Sequence, residues 1–294
     1  MAITQTATPA TARQMTQQLR VEIQREVASA LAEDIGTGDL TAQLIPLSAT
    51  ATGRVVTRQD AILCGAAWFD TVFQMLDPES SVVWHARDGD QIKAGQVLCD
   101  IFASARSLLT AERTALNFLQ LLSGTATTTS RFVAAVAGTK AHIVDTRKTL
   151  PGLRLAQKYA VCMGGGHNHR IGLYDGVLIK ENHIIAAGGV KQALKRALEI
   201  APSNAFIEIE VESLEELQEA LAAGARMVLL DNMSIEEMRE AVKITAGRAQ
   251  LEASGGVGLE RVREIAETGV DRISVGGLTK DVRAIDLSLR HIEE

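Results

Sequence analysis

The chain has 294 residues, a formal net charge of −6, 46% hydrophobic residues, 22% charged residues and only 3% aromatics. That length predicts about two domains with ample core, while the scarcity of aromatics and the negative charge argue against nucleic acid as a partner. No apolar run approaches the roughly 20 residues needed to cross a bilayer, so no membrane partner is expected.

Residues 1–15 are rich in Thr and Ala, lack the apolar stretch of a secretory signal, and read as a disordered tail. Cys64, Cys99 and Cys162 are odd in number, widely spaced and outside any CxxC pattern. They predict a reducing, cytoplasmic setting and no structural metal.

Leu19, Ile23, Val27 and Leu31 recur every four residues and predict a helix that ends near Gly36. Strand-like runs at 53–58 and 80–86 flank a helical stretch at 66–76, and 88–101 reads as a hairpin. The hairpin resembles a biotinyl or lipoyl carrier turn, but no modifiable Lys sits between hydrophobic residues on it, so a structural role is the better reading. Residues 107–122 predict a strong helix, with Leu109, Leu116, Leu119 and Leu122 on its apolar side and Arg113 on a flank facing away from Leu109 and Leu116.

From there the rhythm changes. Apolar runs end at Asp145, Lys180, Glu210, Asp231, Ser254 and Gly276, with amphipathic helices, most closed by glycine, filling the later gaps. Strand–helix repetition predicts a parallel sheet. Because every strand delivers a polar or glycine residue at its carboxyl end, a (β/α) barrel fits better than a Rossmann-like sheet, for which no GxGxxG is present. The predicted fold is α/β: an N-terminal α/β sandwich over 16–121 and a C-terminal incomplete (β/α) barrel over 122–294, its last helix packing back on the first domain.

Between Lys140 and His183, seven Lys and Arg face three acids, a basic island in an acidic protein. It suits a small polyanion. Arg147 and Lys148 follow a buried strand directly, and the Arg fork binds planar carboxylates and phosphates in a way Lys cannot copy. Glu210 and Asp231 end successive strands; they could hold a divalent metal through water, bind sugar hydroxyls or stabilise positive charge, or simply pair with a neighbouring Lys or Arg. The glycines of 254–256 and 275–277 offer backbone N–H groups to a phosphate, and Gly164–Gly166 allow close backbone approach. His167, His169 and His183 fit hydrogen bonding better than metal ligation, and Cys162 has no assigned base. Ser254 is outside a G-x-S-x-G elbow and fits a phosphate contact better than a nucleophile.

Taken together, EDIGTGDLT (33–41), AERTALNFLQ (111–120), DTRKTLPGLR (145–154), GGGHNHRIGLYDGVLIKENH (164–183), IEVE (209–212), LLDN (229–232), ASGG (253–256) and SVGGLT (274–279) closely resemble the quinolinate phosphoribosyltransferase family over nearly the whole chain. The resemblance implies a type II phosphoribosyltransferase that joins quinolinate to phosphoribosyl pyrophosphate, with Mg2+, and releases pyrophosphate and CO2 to leave nicotinate mononucleotide. It implies a homo-oligomer, a dimer or a dimer-based hexamer, with shared active sites. By resemblance, Thr146, Arg147, His169, Arg170 and Lys180 bind quinolinate, with Arg113 arriving from the neighbouring subunit. Lys148, Glu210 and Asp231 are implied to be catalytic and to bind the phosphoribosyl group, Glu210 and Asp231 also holding the metal indirectly. Ser254, Gly255, Gly256, Gly276 and Gly277 are implied to cradle the 5′-phosphate. Gly277 and Lys280 depart from the family pattern, where Ala and His are common.

Two rivals stand beside this reading. A paralogue acting on nicotinate would need cations for one carboxylate, and the surplus of Arg and His favours two. A silent phosphate-sugar sensor would not need Lys148, Glu210 and Asp231 together.

Overall fold

In a computed structural model, residues 17–203 and 205–292 are described; the tail reading of 1–15 lies outside them. The elements in chain order are α1 (Gln17–Ile35), a 3-10 turn at Ala42–Leu44, β1 (Thr50–Thr57), β2 (Ala61–Ile62), α2 (Ala66–Leu76), β3 (Ser81–Trp84), β4 (Gln91–Ile92), β5 (Val97–Ser104) and α3 (Ala105–Ala135). There follow β6 (His142–Val144), α4 (Arg154–Met163), β7 (Gly176–Ile179), α5 (Glu181–Ala187), α6 (Val190–Ile200), β8 (Phe206–Val211) and α7 (Leu214–Ala222). The chain closes with β9 (Met227–Asp231), α8 (Ile235–Thr245), β10 (Gln250–Ser254), α9 (Val262–Glu267), β11 (Arg272–Ser274), α10 (Gly277–Lys280) and β12 (Leu287–Ile292).

Two compact units result. The first holds the described residues up to Ser130, Leu150–Gly165 and the segment from Val282 onwards; the second holds Arg131–Thr149 and Gly166–Asp281. The division between the units falls inside α3, nine residues after the predicted boundary at residue 121. The predicted last helix is corrected: residues 287–292 form a strand, with Leu289 opposite Val55 on β1.

In the first unit the antiparallel sheet runs β12-β1-β5-β3, beside a two-stranded β2-β4 sheet. The predicted hairpin at 88–101 keeps its turn, closed by Gln96 N–H to Lys93 O at 2.9 Å, but its arms belong to different sheets. Ile92 pairs with Ala61, and Val97 with Val56. The core gathers Ile23, Val27 and Leu31 of α1, Trp68, Phe69 and Phe73 of α2, and Leu108, Leu116, Leu119 and Leu122 of α3. Leu109, placed on the apolar side from sequence, is 37% exposed, and Leu108 fills the core instead.

The second unit is a six-stranded, all-parallel sheet in the order β6-β11-β10-β9-β8-β7. That is the cyclic order of a barrel with one seam left open between β6 and β7. His167 partly covers the seam's β6 edge, donating its N–H to Ile143 O at 2.8 Å and accepting from Asp145 N–H at 3.0 Å. The helices bury one stripe each, such as Leu217, Ala220 and Leu221 on α7 and Ile235, Met238 and Ala241 on α8. Their starts follow from sequence. Ser234 Oγ accepts Glu237 N–H while Glu237 Oε2 accepts Ser234 N–H, a capping box that satisfies two otherwise orphaned donors.

Candidate active site

Parallel strands bring their carboxyl ends to one rim, so the polar residues that end β6 to β11 are gathered there by topology alone. At the end of β6 the chain turns through Thr146, Arg147 and Lys148, with Lys148 N–H donating to Thr146 Oγ1 at 3.1 Å. Thr279 Oγ1, wholly buried, donates to Lys148 O at 2.8 Å and ties this turn to the loop after β11. A Cβ on Gly276 would stand 3.2 Å from Lys148 Cδ, so the glycine leaves a channel along which the lysine passes.

Arg170 lies in the segment before β7, its Nη1 donating to the carbonyl of Gly176, the first residue of that strand, at 3.1 Å. Burial, and then the nearby charge of Arg147, holds its guanidinium below its ordinary value. A guanidinium whose charge is disfavoured in this way gains from an anion beside it. The same segment is shaped by Asp175, whose carboxylate accepts the N–H groups of Ile171 and Gly172 at 2.8 and 2.9 Å.

Lys180 at the end of β7 donates to Glu210 Oε2 of β8 at 2.7 Å. Of the sequence alternatives for Glu210, the ion pair is present, partly open to solvent on the Lys180 side. Next along the rim, Asp231 ends β9 opposite Ser254 of β10. Gly255 and Gly256 follow Ser254 with φ of 107° and 56°, conformations that glycine adopts without strain. Glu210 and Asp231 are half-buried carboxylates on adjacent strands. Oxygen donors of that kind suit Mg2+ held through water.

Sequence reasoning missed two features here. Asn232, after β9, stands at φ 56° and donates from Nδ2 to Asp231 Oδ2 at 2.8 Å. Its signal was the Asn itself, the non-glycine residue that best tolerates this backbone. The second feature is a buried layer inside the barrel. His169 Nε2 lies 2.8 Å from Glu208 Oε2 and 3.7 Å from Glu252 Oε1, while Arg272 Nε lies 2.8 Å from Glu252 Oε2. Burial pushes both glutamates above the ordinary carboxylate range. Alternation along FIEIEV places Glu208 on the same face as Glu210, one layer deeper.

His169, Glu208 and Glu252 have the spacing of a metal triad, but the Arg272 guanidinium already sits against Glu252, and a cation there would meet a like charge. His183 takes no part in it; its Nδ1 accepts Lys180 N–H at 3.0 Å and caps α5.

Two other expectations gain a different cause. Gly164 makes room for a helix rather than a ligand, since a Cβ there would meet Ala126 O and come within 2.7 Å of Thr129 Cβ. Cys162 lies on α4 in the first unit, not among the rim residues. Arg113 is likewise in the first unit, exposed on α3. It lines a cleft with Asp34, Gly38 and Asp39, where Thr110 Oγ1 donates to Asp39 Oδ2 at 2.8 Å and fastens the 33–41 motif to the helix.

An incomplete (β/α) barrel whose rim sets cations, two carboxylates and glycine turns side by side defines an enzyme class that handles small phosphorylated and carboxylated substrates. Comparison narrows the class. The family described as quinolinate phosphoribosyl transferase matches with its N-terminal domain over residues 39–123 and its C-terminal domain over 125–290. A nicotinate-nucleotide pyrophosphorylase (carboxylating) of Mycobacterium leprae is 45% identical over 273 residues, covering 90% of this chain and 95% of its own. A quinolinate phosphoribosyltransferase (decarboxylating) of Nicotiana tabacum is 41% identical over 281 residues, covering 89% and 80%. The solved nicotinate-nucleotide pyrophosphorylase of Francisella tularensis superposes with a TM-score of 0.90 at 47% identity, covering 93% of this chain and 97% of that one. The chain belongs to the quinolinate phosphoribosyltransferase family.

Proposed function

We infer that the protein is a decarboxylating quinolinate phosphoribosyltransferase, a pentosyltransferase of NAD biosynthesis. The observation that carries the reading is the Lys180–Glu210 ion pair on a rim that continues to Asp231 and Ser254, with Arg147 after β6 and Arg170 before β7 adding cationic charge. Such a rim receives an aromatic dicarboxylate at its cationic side and a phosphorylated sugar at its carboxylate and glycine side.

Arg147, Arg170 and Lys180 hold the two carboxylates, with Thr146 beside them and Arg113 of a neighbouring subunit closing the site in a homodimer or an assembly of dimers. His169 acts from beneath them. Lys148 lies between the two substrates, and Ser254, Gly255, Gly256, Gly276 and Gly277 receive the 5′-phosphate. The ring nitrogen forms its bond to C1 of the ribose as the bond from C1 to pyrophosphate breaks, the electron pair leaving with pyrophosphate. Glu210 and Asp231 face the ribose, where positive charge develops, and stabilise it electrostatically.

The ring, now cationic, accepts electrons from its 2-carboxylate. The C2–carboxylate bond breaks, CO2 departs, and C2 takes a proton from water. Positioning and charge suffice, with no protein nucleophile. Mg2+ held near Glu210 and Asp231 would neutralise charge on the departing pyrophosphate. The three cysteines stand as free thiols, in keeping with the cytoplasm, and no helix among the described residues is long and apolar enough to cross a membrane.

The test is incubation with phosphoribosyl pyrophosphate, Mg2+ and carboxyl-labelled quinolinate, following labelled CO2 and nicotinate mononucleotide together. Equal yields of both are expected. Nucleotide from nicotinate alone would move the protein to the nicotinate paralogue, and no turnover of either would leave a sensor.

A further inference from the structure

His169 is held from two strands and from its own backbone. Its N–H donates to Asp145 Oδ1 at 2.8 Å, and Asp145 is wholly buried at the end of β6. Its ring Nδ1 accepts the backbone N–H of Arg170 at 2.7 Å. A nitrogen that accepts a hydrogen bond carries no proton, so the single proton of the neutral ring is on Nε2. That Nε2–H donates to Glu208 Oε2 at 2.8 Å, on a glutamate side chain with 0% exposure. Phe206 packs edge-on against the ring, with centroids 5.2 Å apart. Both ring nitrogens therefore face protein partners.

We propose that Glu208 is a positioning residue for quinolinate: it fixes the tautomer and plane of His169, and through the ring's bond to Arg170 N–H it sets the backbone from which the Arg170 side chain reaches the rim. The proposal rests on the quinolinate reading of that rim. A barrel interior is ordinarily filled with branched aliphatic side chains; a buried carboxylate one layer below Glu210 on the same strand is explained here by the histidine it holds. Glu252 and Arg272 support Glu208 from β10 and β11, since Glu252 Oε1 lies 3.7 Å from the same ring nitrogen and Arg272 lies against the other oxygen of Glu252. A carboxylate acting on the second partner of a histidine is a recurrent way to fix ring orientation.

The test compares Glu208→Ala with Glu208→Gln, whose amide oxygen still accepts the Nε2–H. In Glu208→Ala the KM for quinolinate should rise about tenfold or more, while the KM for phosphoribosyl pyrophosphate stays within about twofold. Glu208→Gln should return the quinolinate KM to within about threefold of the wild-type value. In protein labelled with 15N-histidine, the His169 ring should show the Nε2-protonated pattern in the wild type and in Glu208→Gln, and lose it in Glu208→Ala.

An unchanged quinolinate KM in folded Glu208→Ala would overturn the proposal, as would an equal loss for both substrates. If Glu208→Ala does not fold, an Nδ1-protonated or doubly protonated His169 in the wild type overturns it instead. Absence of turnover by the wild-type protein would remove the quinolinate reading, and the ring spectrum would still report whether Glu208 holds His169.

Discussion

Asn232 holds the Asp231 carboxylate while standing in a left-handed conformation itself: Nδ2 donates to Asp231 Oδ2 at 2.8 Å and φ is 56°. Its own N–H donates to Ser254 O at 3.0 Å, so one residue ties the end of β9 to the end of β10. Left-handed non-glycine residues cost free energy and concentrate at functional sites, and here the cost aims a carboxylate across the rim.

The amide and the backbone can be separated. Asn232→Gly keeps the left-handed conformation and removes the donor, so it should fold normally while kcat/KM for phosphoribosyl pyrophosphate falls about tenfold, as expected for one hydrogen bond to a charged group. Asn232→Val adds strain in a conformation β-branched residues avoid, and should lose Tm as well as activity. Equal activity of Asn232→Gly and wild type would remove Asn232 from the site.

Gly255 faces Asn232 across the same corner. Its φ is 107°, and a Cβ there would collide with the Asn232 side chain and backbone. Gly95 has φ 85° with nothing within 4 Å of a Cβ, so it supplies a control for backbone strain alone. Gly95→Ala should cost roughly 1–2 kcal/mol of stability and leave activity intact. Gly255→Ala should cost more by urea unfolding and should also weaken phosphoribosyl pyrophosphate binding. Equal effects of the two substitutions would show that the corner is not packed as described.

Lys180 and Glu210 form an ion pair whose lysine side is half exposed, and a pair of that kind contributes under about 1 kcal/mol to stability. Both single variants should therefore keep Tm nearly unchanged. Lys180→Ala should raise the quinolinate KM about tenfold, and Glu210→Ala should lower kcat on the order of a hundredfold. The double variant separates structure from chemistry. Were the pair only structural, removing both charges would restore activity; the functional assignment expects the double variant to be worse than either single one.

How far the sequence reveals this site depends on where each signal lives. The strand ends were legible because a short apolar run followed by Asp145, Lys180, Glu210, Asp231 or Ser254 is a local pattern, and parallel topology does the rest. Helix α2 was legible to the residue, since Gly65 and Asp77 bound a dense apolar stripe. The second half of α3 was not. Residues 123–130 are Ser, Thr and Gly around a single Ala, mostly poor helix formers with no apolar stripe.

That stretch is helical because its hydroxyls find tertiary partners. Ser123 Oγ accepts Cys64 N–H at 2.9 Å, and Thr127 Oγ1 accepts Ile62 N–H at 2.9 Å while donating to Ser123 O. Strand β12 reads from sequence as a helix, because its partner β1 lies more than 200 residues upstream and no local pattern names it. The buried layer of His169, Glu208, Glu252 and Arg272 was missed for a related reason. Glu208, Glu252 and Arg272 each read locally as a surface charge, and only the parallel sheet turns them toward His169.

Glu26 gives the first unit a stability that depends on pH. Its side chain is buried at 4% exposure, Trp68 Nε1–H donates to Oε2 at 2.6 Å, and burial pushes its carboxyl from 4.5 up to about 7 against that hydrogen bond. Between those two values the folded protein holds a proton that the unfolded chain has released. Stability therefore falls as pH rises through the window and is fully reduced above about 7. Asp70, raised to about 6 by burial, acts in the same direction, so the wild-type curve alone does not isolate Glu26. Glu26→Gln does: its amide oxygen still accepts from Trp68 and it cannot ionise. Urea unfolding at pH 5 and pH 8 should show variant and wild type similar at the lower pH. At pH 8 the variant should be more stable by about 2 kcal/mol, from roughly 1.4 kcal/mol per unit of pKa displacement moderated by partial solvation. Parallel curves for the two proteins would mean that the carboxyl is already ionised in the fold and that Trp68 binds a carboxylate there.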